Sequence, residues 1–252
     1  MGPLETLMTN RKSIMGVIPA RLKSTRLPGK VLLEIAGKPM IYWVYVNARR
    51  STLLDDLVVA TDSQEVFDAC QALEIPVTMT GEHPDGGDRV HEVMERTGFD
   101  IYVNIQGDEP TLKPEHLDLL LQPLQNGIAE MSTLKVAITP EEAQDPNVVK
   151  VVTSDDNRAL YFSRSPIPYD RDKTSPVSYF KHIGLYAYTR DALAKFHSLP
   201  QSSLELAEKL QQLRFLQAGY EILVLETEHD TVGVDTQADL ERVIGIFAAG
   251  IE

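Results

Sequence analysis

Cysteine, cations and long apolar runs are all scarce in this 252-residue chain. A lone Cys70 excludes an internal disulfide and a cysteine-built zinc centre, and fits a reducing compartment. In Val66-Phe67-Asp68-Ala69-Cys70 the thiol reads as a small buried apolar group. A membrane-spanning helix needs about 20 apolar residues. The longest such stretch here, Val243–Ile251, is interrupted by glycine, so no membrane role is expected. Met1–Lys12 lacks the apolar stretch of a secretory signal. Against 37 Asp+Glu stand only 24 Lys+Arg, a net charge of −13. That balance excludes a broad basic footprint, and with it nucleic acid as a bulk ligand, but not a local basic pocket for a small anion. Neither G-x-x-x-x-G-K-[ST] nor G-x-G-x-x-G occurs, which demotes P-loop kinases and dinucleotide dehydrogenases.

What is present is ordinary for a globular chain, 43% hydrophobic and 24% charged, with length enough for a sizeable core. Apolar β-rich runs alternate with helical patterns. Strands are expected at Ile14–Pro19, Leu57–Thr61, Val77–Thr80, Ile101–Gln106 and Met131–Ala137. Helices are expected at Met40–Arg49, from an Asp62/Glu65 capping box to Leu73, at Asp88–Arg96 and at Pro114–Gln125. This alternation argues an α/β fold, a mostly parallel (mixed) sheet with helices on both faces. The rhythm then changes. Val148–Thr153 and Ala159–Ser163 flank Ser-Asp-Asp-Asn and read as a β-hairpin. A long Pro-bearing loop runs from Arg164 to Phe180, and His182–Tyr188 is the next strand. Ser202 and Glu205 open a helix expected to reach Ala218, with Leu206, Leu210 and Leu213 as its buried stripe. Strands at Glu221–Leu225 and Thr231–Val234 and a helix at Thr236–Ala248 close the chain. No linker or repeat interrupts it, so one domain over 1–252 is expected, with 1–13 a poorly ordered extension.

Two features carry chemistry. After the first strand comes Pro19-Ala20-Arg21-Leu22-Lys23-Ser24-Thr25-Arg26-Leu27-Pro28-Gly29-Lys30, a basic cluster in an acidic chain. Open α/β sheets bind ligands at the carboxyl ends of their strands, and Arg and Lys match phosphate oxygens. Spacing alone leaves an anion site and a solvated basic loop both open. Second, Asn104-Ile105-Gln106-Gly107-Asp108-Glu109-Pro110 and Gly233-Val234-Asp235-Thr236 each place an aspartate after an apolar strand. Hard cations such as Mg²⁺ take one or two carboxylates plus substrate phosphates. For Asp235 a helix N-cap is the alternative.

Eight segments in register, PARLKSTRLPGKVLLEIAGKPMI, VATD, NIQGDEP, NVVKVV, ALYFSRSPIPYDRD, HIGLYAY, LQQLR and GVDTQADLERV, resemble the 3-deoxy-manno-octulosonate cytidylyltransferase (CMP-KDO synthetase) family over about Ile14–Val243. The resemblance implies a nucleotidyltransferase-type fold and a β-hairpin/helix subregion for dimerisation and sugar binding. It also implies Mg²⁺, a homodimer and a cytoplasmic place in lipopolysaccharide biosynthesis. The implied reaction transfers CMP from CTP to the anomeric hydroxyl of an anionic 2-keto acid sugar, KDO. A KDO relative such as an 8-amino-KDO, another 2-keto acid sugar, or an inactive nucleotide-binding homologue are the alternatives.

By the same resemblance Arg21, Ser24, Arg26 and Lys30 hold the triphosphate, and Asp108 and Asp235 hold metal. Arg21, Lys30, Asp108 and Asp235 form the catalytic group. His83, Gly86, Asp88 and Arg89 join the nucleotide site. Gln106, Arg164, His182, Tyr186, Gln211 and Gln212 fall to the sugar. For His182 a satisfied core histidine is the other reading of the residues. Glu205, Glu208 and Gln212 are expected on one helical face. The chain departs from the family pattern at Asp85 and Gly87, where the family has Ser and Thr, and at Gln211, where it has Glu. An amide there both donates and accepts, so Gln211 is expected to alter recognition of the sugar's far end.

Overall fold

The computed structural model describes residues 11–24, 26–83, 85–172 and 177–250. Strand β1 (Ile14–Ala20) is buried along nearly its whole length, as a parallel strand covered on both faces should be. Its side chains alternate between two cores: Ile14, Ile18 and Ala20 enter one, Met15 and Val17 the other. A basic loop then leads to a small hairpin, β2 (Glu34–Ile35) and β3 (Lys38–Pro39), and helix α1 (Met40–Arg49). Next come β4 (Asp56–Thr61), α2 (Gln64–Ala72), β5 (Val77–Met79), α3 (Gly86–Arg96), β6 (Ile101–Asn104), α4 (Pro114–Gln125) and β7 (Met131–Ile138). Helices α1, α2 and α4 pack on one face of the sheet. Helix α3 packs on the other, joined by the helices at Arg190–Ser198 and Gln212–Gln217 from later in the chain. Cys70, on the buried face of α2, is fully buried, and burial pushes its thiol up to about 11, which leaves it inert.

The second half contributes the hairpin β8 (Lys150–Thr153) and β9 (Ala159–Ser163), the long strand β10 (Tyr179–Thr189), α5 (Arg190–Ser198), α6 (Ser203–Glu208), α7 (Gln212–Gln217), β11 (Leu223–Glu226) and α8 (Gln237–Ala248). The sheet order is β11-β7-β10-β6-β1-β4-β5, with β8 and β9 joined to β10. Strands β6, β1, β4 and β5 are parallel, and β10 runs antiparallel between β6 and β7. The chain moves from β1 to β4 on one side and returns to β6 on the other. The crevice beyond the carboxyl ends of β1 and β6 is therefore a topological switch point.

Several expectations are corrected. Ser63, not Asp62, caps α2, accepting from the Val66 N–H. Thr231–Val234 is not a strand, because its N–H groups go elsewhere: Val232 donates to Thr111 Oγ1 and Val234 to the Asp108 carbonyl. The long helix ending at Ala218 is two helices, α6 and α7, broken at Lys209 with φ +56°. Leu210 and Leu213 are buried but Leu206 is 48% exposed, so the leucines never formed one stripe. Glu205, Glu208 and Gln212 thus do not share a helical face. Of the expected 1–13 extension, residues 1–10 lie outside the described residues. Arg11, Lys12 and Ser13 are tied down by Asp55, Gln125 and Asp100. Among the described residues no helix is long and apolar enough to cross a membrane.

Candidate active site

Two loops meet at the switch point. After β6 the chain turns at Gly107, where a Cβ would lie 2.8 Å from the Pro19 carbonyl oxygen of β1. Only glycine lets the turn press this closely on β1, and the turn presents Asp108 to the crevice. From the other side Val234 N–H donates to the Asp108 carbonyl at 2.9 Å, which fixes Asp235 beside Asp108. Asp235 is not a cap: Thr236 caps α8 in a reciprocal box with Asp239. The second aspartate's side chain is therefore released for other work.

Lys30 comes from the basic loop, just past Gly29 at φ +66°. Its ammonium contacts the Asp108 carboxylate and bridges to Asp235 Oδ1 at 2.9 Å. Arg26 Nη2 donates to Asp235 Oδ2 at 2.7 Å. Burial alone would lower the Lys30 pKa, but the two carboxylates outweigh it and the net shift is upward. The basic loop and both aspartates are thus one charge network. Glu109, which the sequence reading passed over, lies directly beneath: its Oε1 is 3.5 Å from where a Gly233 Cβ would be, and its Oε2 is buried without a partner. Burial pushes its carboxyl up to about 7, against a Thr231 hydrogen bond that pulls it down. Its position between Asp108 and Pro110 was the available signal.

Around this network opens a cleft of about 230 Å³, lined among others by Arg21, Ser24, Arg26, Lys30, His83, Gly86, Arg89, Gln106 and Asp108. Most of the residues assigned to the nucleotide are thereby brought together. Arg89 is 2% exposed and committed to Asp62 (3.2 Å), Thr80 and the Gly81 carbonyl, so it braces the cleft wall. Asp88 turns away from the cleft and pairs with His197 of α5 at 3.0 Å. Asp85 lines the cleft and caps α3, accepting from the Asp88 N–H at 3.0 Å.

The residues assigned to the sugar divide. Gln106 Nε2 donates to the Gly184 carbonyl at 3.1 Å, bridging the cleft to the bulge in β10. His182 and Tyr186 flank that bulge with ring centroids 5.4 Å apart. Thr133 Oγ1 donates to the Leu185 carbonyl at 2.7 Å, so His182 Nε2, 2.9 Å from the same hydroxyl, carries the proton that donates to it. Burial, with Lys181 adding to it, drives the His182 pKa down to about 3. The imidazole is expected to stay neutral between pH 5 and 8. Nitrogen-detected NMR checks this, and a titration near 6.5 would refute it. Arg164 is engaged by Glu208 and the Pro146 carbonyl. Gln212 is 3% exposed, and its Nε2 has no partner. Gln211 lies against Asp85 and Gly87 at the start of α3. The three departures from the family pattern therefore meet at one place.

A switch-point cleft that sets an Arg/Lys loop against two aspartates, one past the end of β6 and one held beside it from the segment before α8, defines a nucleotidyltransferase-type α/β enzyme. The cytidylyltransferase family's sequence model matches residues 15–222. The chain is 49% identical over 242 residues to the 3-deoxy-manno-octulosonate cytidylyltransferase of Koribacter versatilis, covering 96% of this chain and 92% of that one. To the Acidobacterium capsulatum protein of the same name it is 50% identical, covering 92% and 95%. A solved structure of CMP:2-keto-3-deoxy-manno-octonic acid synthetase complexed with CTP superposes with a TM-score of 0.91 at 45% identity, covering 94% of this chain and 99% of that one. The chain belongs to the cytidylyltransferase family, and its relatives within it are the 3-deoxy-manno-octulosonate cytidylyltransferases.

Proposed function

We propose that this chain transfers CMP from CTP to the anomeric hydroxyl of 3-deoxy-manno-octulosonate. The observation that carries the reading is the Arg26–Asp235–Lys30–Asp108 network in the switch-point cleft. The anomeric oxygen forms a bond to the α-phosphorus, the bond from that phosphorus to the bridging oxygen breaks, and pyrophosphate leaves. Two anions must meet, so neutralising charge is the main task. Arg21, Ser24, Arg26 and Lys30 line the cleft, which supports seating the triphosphate there. Lys30 and Arg26 exchange their carboxylate partners for phosphate oxygens when nucleotide binds. His182 is an unsuitable base, since its pKa is about 3 and its Nε2 is committed to Thr133. The hydroxyl proton therefore passes to solvent.

Asp108 and Asp235 fit a divalent cation: they already converge on one positive charge, the Lys30 ammonium. We assign Mg²⁺ to this pair, where it would supply charge neutralisation at the α-phosphate and lower the pKa of the attacking hydroxyl. On the sugar side, the unpaired buried amide of Gln212 supports a role as a donor to the acid sugar. His182, Tyr186 and Arg164 stand with it as proposed sugar contacts. The same reading makes 1–252 one catalytic domain working in the cytoplasm as a homodimer. Leu160 on the β9 hairpin and Tyr169 beyond it, 60% and 82% exposed, support the dimer, and sedimentation analysis tests it.

The deciding experiment is pyrophosphate release with CTP, Mg²⁺ and KDO. Release is expected to need all three, with CTP preferred to UTP and to purine triphosphates. Release with an amino or chain-altered KDO but not with KDO itself would move the assignment to that sugar. No release with any 2-keto acid sugar would make the chain a nucleotide binder.

A further inference from the structure

Strand β10 loses register with β7 just before Tyr186. His182 faces Lys135 and Ile183 faces Leu134, but the next residue of β7, Thr133, faces Tyr186. Gly184 and Leu185 are thus bulged out of the ladder. A bulge strands backbone carbonyls, and a buried carbonyl needs a donor. Thr133, fully buried, supplies it: its hydroxyl donates to the Leu185 carbonyl at 2.7 Å, with the Ile183 carbonyl at 3.2 Å. The bulge matters on the sugar side of the cleft. It turns the Gly184 carbonyl toward the Gln106 amide, at 3.1 Å. It also brings the His182 and Tyr186 rings to 5.4 Å from each other.

We propose that Thr133 is a positioning residue for the sugar: it locks the β10 bulge and fixes the His182 tautomer, so that Nδ1 meets the sugar as an acceptor for one of its hydroxyls. This rests on the cytidylyl-transfer reading for the identity of the sugar. A hydroxyl has one proton, and that of Thr133 goes to a carbonyl, so toward His182 Nε2 at 2.9 Å it only accepts. The neutral imidazole then carries its proton on Nε2, and Nδ1 is its remaining polar atom, a lone pair. Phe162, edge-on to the ring at 4.9 Å, holds the ring plane. A lone pair has no complement in the sugar's carboxylate, which also only accepts; its complement is an O–H of the polyol. Thr133 acts through His182 and the bulge and needs no contact with either substrate.

Nitrogen-detected NMR reads the tautomer without substrate. The parent is expected to show His182 protonated at Nε2 alone, its proton visible because the bond to Thr133 protects it from exchange. Thr133→Val keeps the side-chain shape and removes the hydroxyl, so the protected proton is expected to vanish and the Nδ1–H tautomer to appear. In pyrophosphate release the same variant is expected to raise KM for KDO about tenfold, with kcat and calorimetric CTP affinity within about threefold. Thr133→Ser, which restores the hydroxyl, is expected to restore the Nε2 tautomer and bring KM to within about threefold of the parent. KDO analogues that each lack one hydroxyl identify the donor: for one of them the KM ratio of Thr133→Val to parent falls toward unity. A parent His182 protonated at Nδ1 overturns the proposal, even where Thr133→Val fails to fold. So does a Thr133→Val that weakens CTP and sugar alike, that leaves tautomer and KM unchanged, or whose penalty is the same for every analogue. So does a serine that rescues neither readout. Failure of the cytidylyl-transfer reading looks different: the parent then releases no pyrophosphate with any 2-keto acid sugar, and the sugar role of Thr133 falls with it while the tautomer result stands.

Discussion

Asp108→Asn lowers CTP-dependent pyrophosphate release by a factor on the order of 10²–10³, and Asp235→Asn does the same; losses of this size follow when one preorganised electrostatic group is removed from a transition state. Both side chains stand at the carboxyl edge of the sheet, and both face the Lys30 ammonium. An amide keeps the shape and removes the charge. Either variant leaves Lys30 one carboxylate, so the fold is expected to survive with a cost near 1 kcal/mol, a melting shift of about 2–4 °C. The kinetic and thermal readouts separate the roles. A variant that melts like the parent but keeps pyrophosphate release within threefold would remove that aspartate from the site. The same assay with Mg²⁺ chelated is expected to reduce the parent to the level of the variants.

Much of this site was legible in the sequence because it depends on local spacing. A basic run directly after one apolar strand and an aspartate just past another are brought together by any parallel sheet with a switch point between those strands, whereas Asp235 follows an apolar run that is not a strand and reaches the site through the Val234 N–H bond to the Asp108 carbonyl. The β8–β9 hairpin was equally legible from its turn residues. What was not legible depended on where groups find partners across the chain. Thr231–Val234 is apolar enough for a strand, but its N–H groups are claimed by Thr111 and Asp108. Asp235 and Thr236 are both competent caps, and only the Asp239 box decides between them. Glu109 escaped notice because its burial beneath Gly233 is a tertiary fact. The contact of Gln211 with Asp85 joins residues far apart in sequence, and no local pattern announces it.

The break between α6 and α7 leads to the second large effect. Arg214 donates from Nε to Glu205 Oε2 at 2.8 Å and from Nη2 to Oε1 at 2.5 Å, with both side chains more than nine-tenths buried. The guanidinium also lies 5.1 Å over the Phe196 ring. The two ends of this pair belong to different helices, so it clamps α6 to α7 across the left-handed Lys209. Glu205→Gln removes the one carboxylate hydrogen-bonded to Arg214 and leaves only Asp85 and Asp88 acting on it without such a bond; breaking a buried pair in this way typically costs about 3–5 kcal/mol. For a chain of this length that is a melting-temperature loss of roughly 6–20 °C. Replacing both partners by apolar residues, Glu205→Leu with Arg214→Met, is expected to cost less than Glu205→Gln alone, because no charge is then stranded. The pH dependence has a definite sign. Burial pushes the Glu205 carboxyl up, but its hydrogen bonds to Arg214 and the Ser202 N–H outweigh this and hold it below its ordinary 4.5. A depressed folded value contributes stability above pH 4.5 and loses it as pH falls through the lower value. The melting gap between parent and Glu205→Gln should therefore be full at pH 7 and narrow steadily below pH 4.5. A gap that is small at pH 7, or one that widens on acidification, would show that the pair does not hold the two helices together.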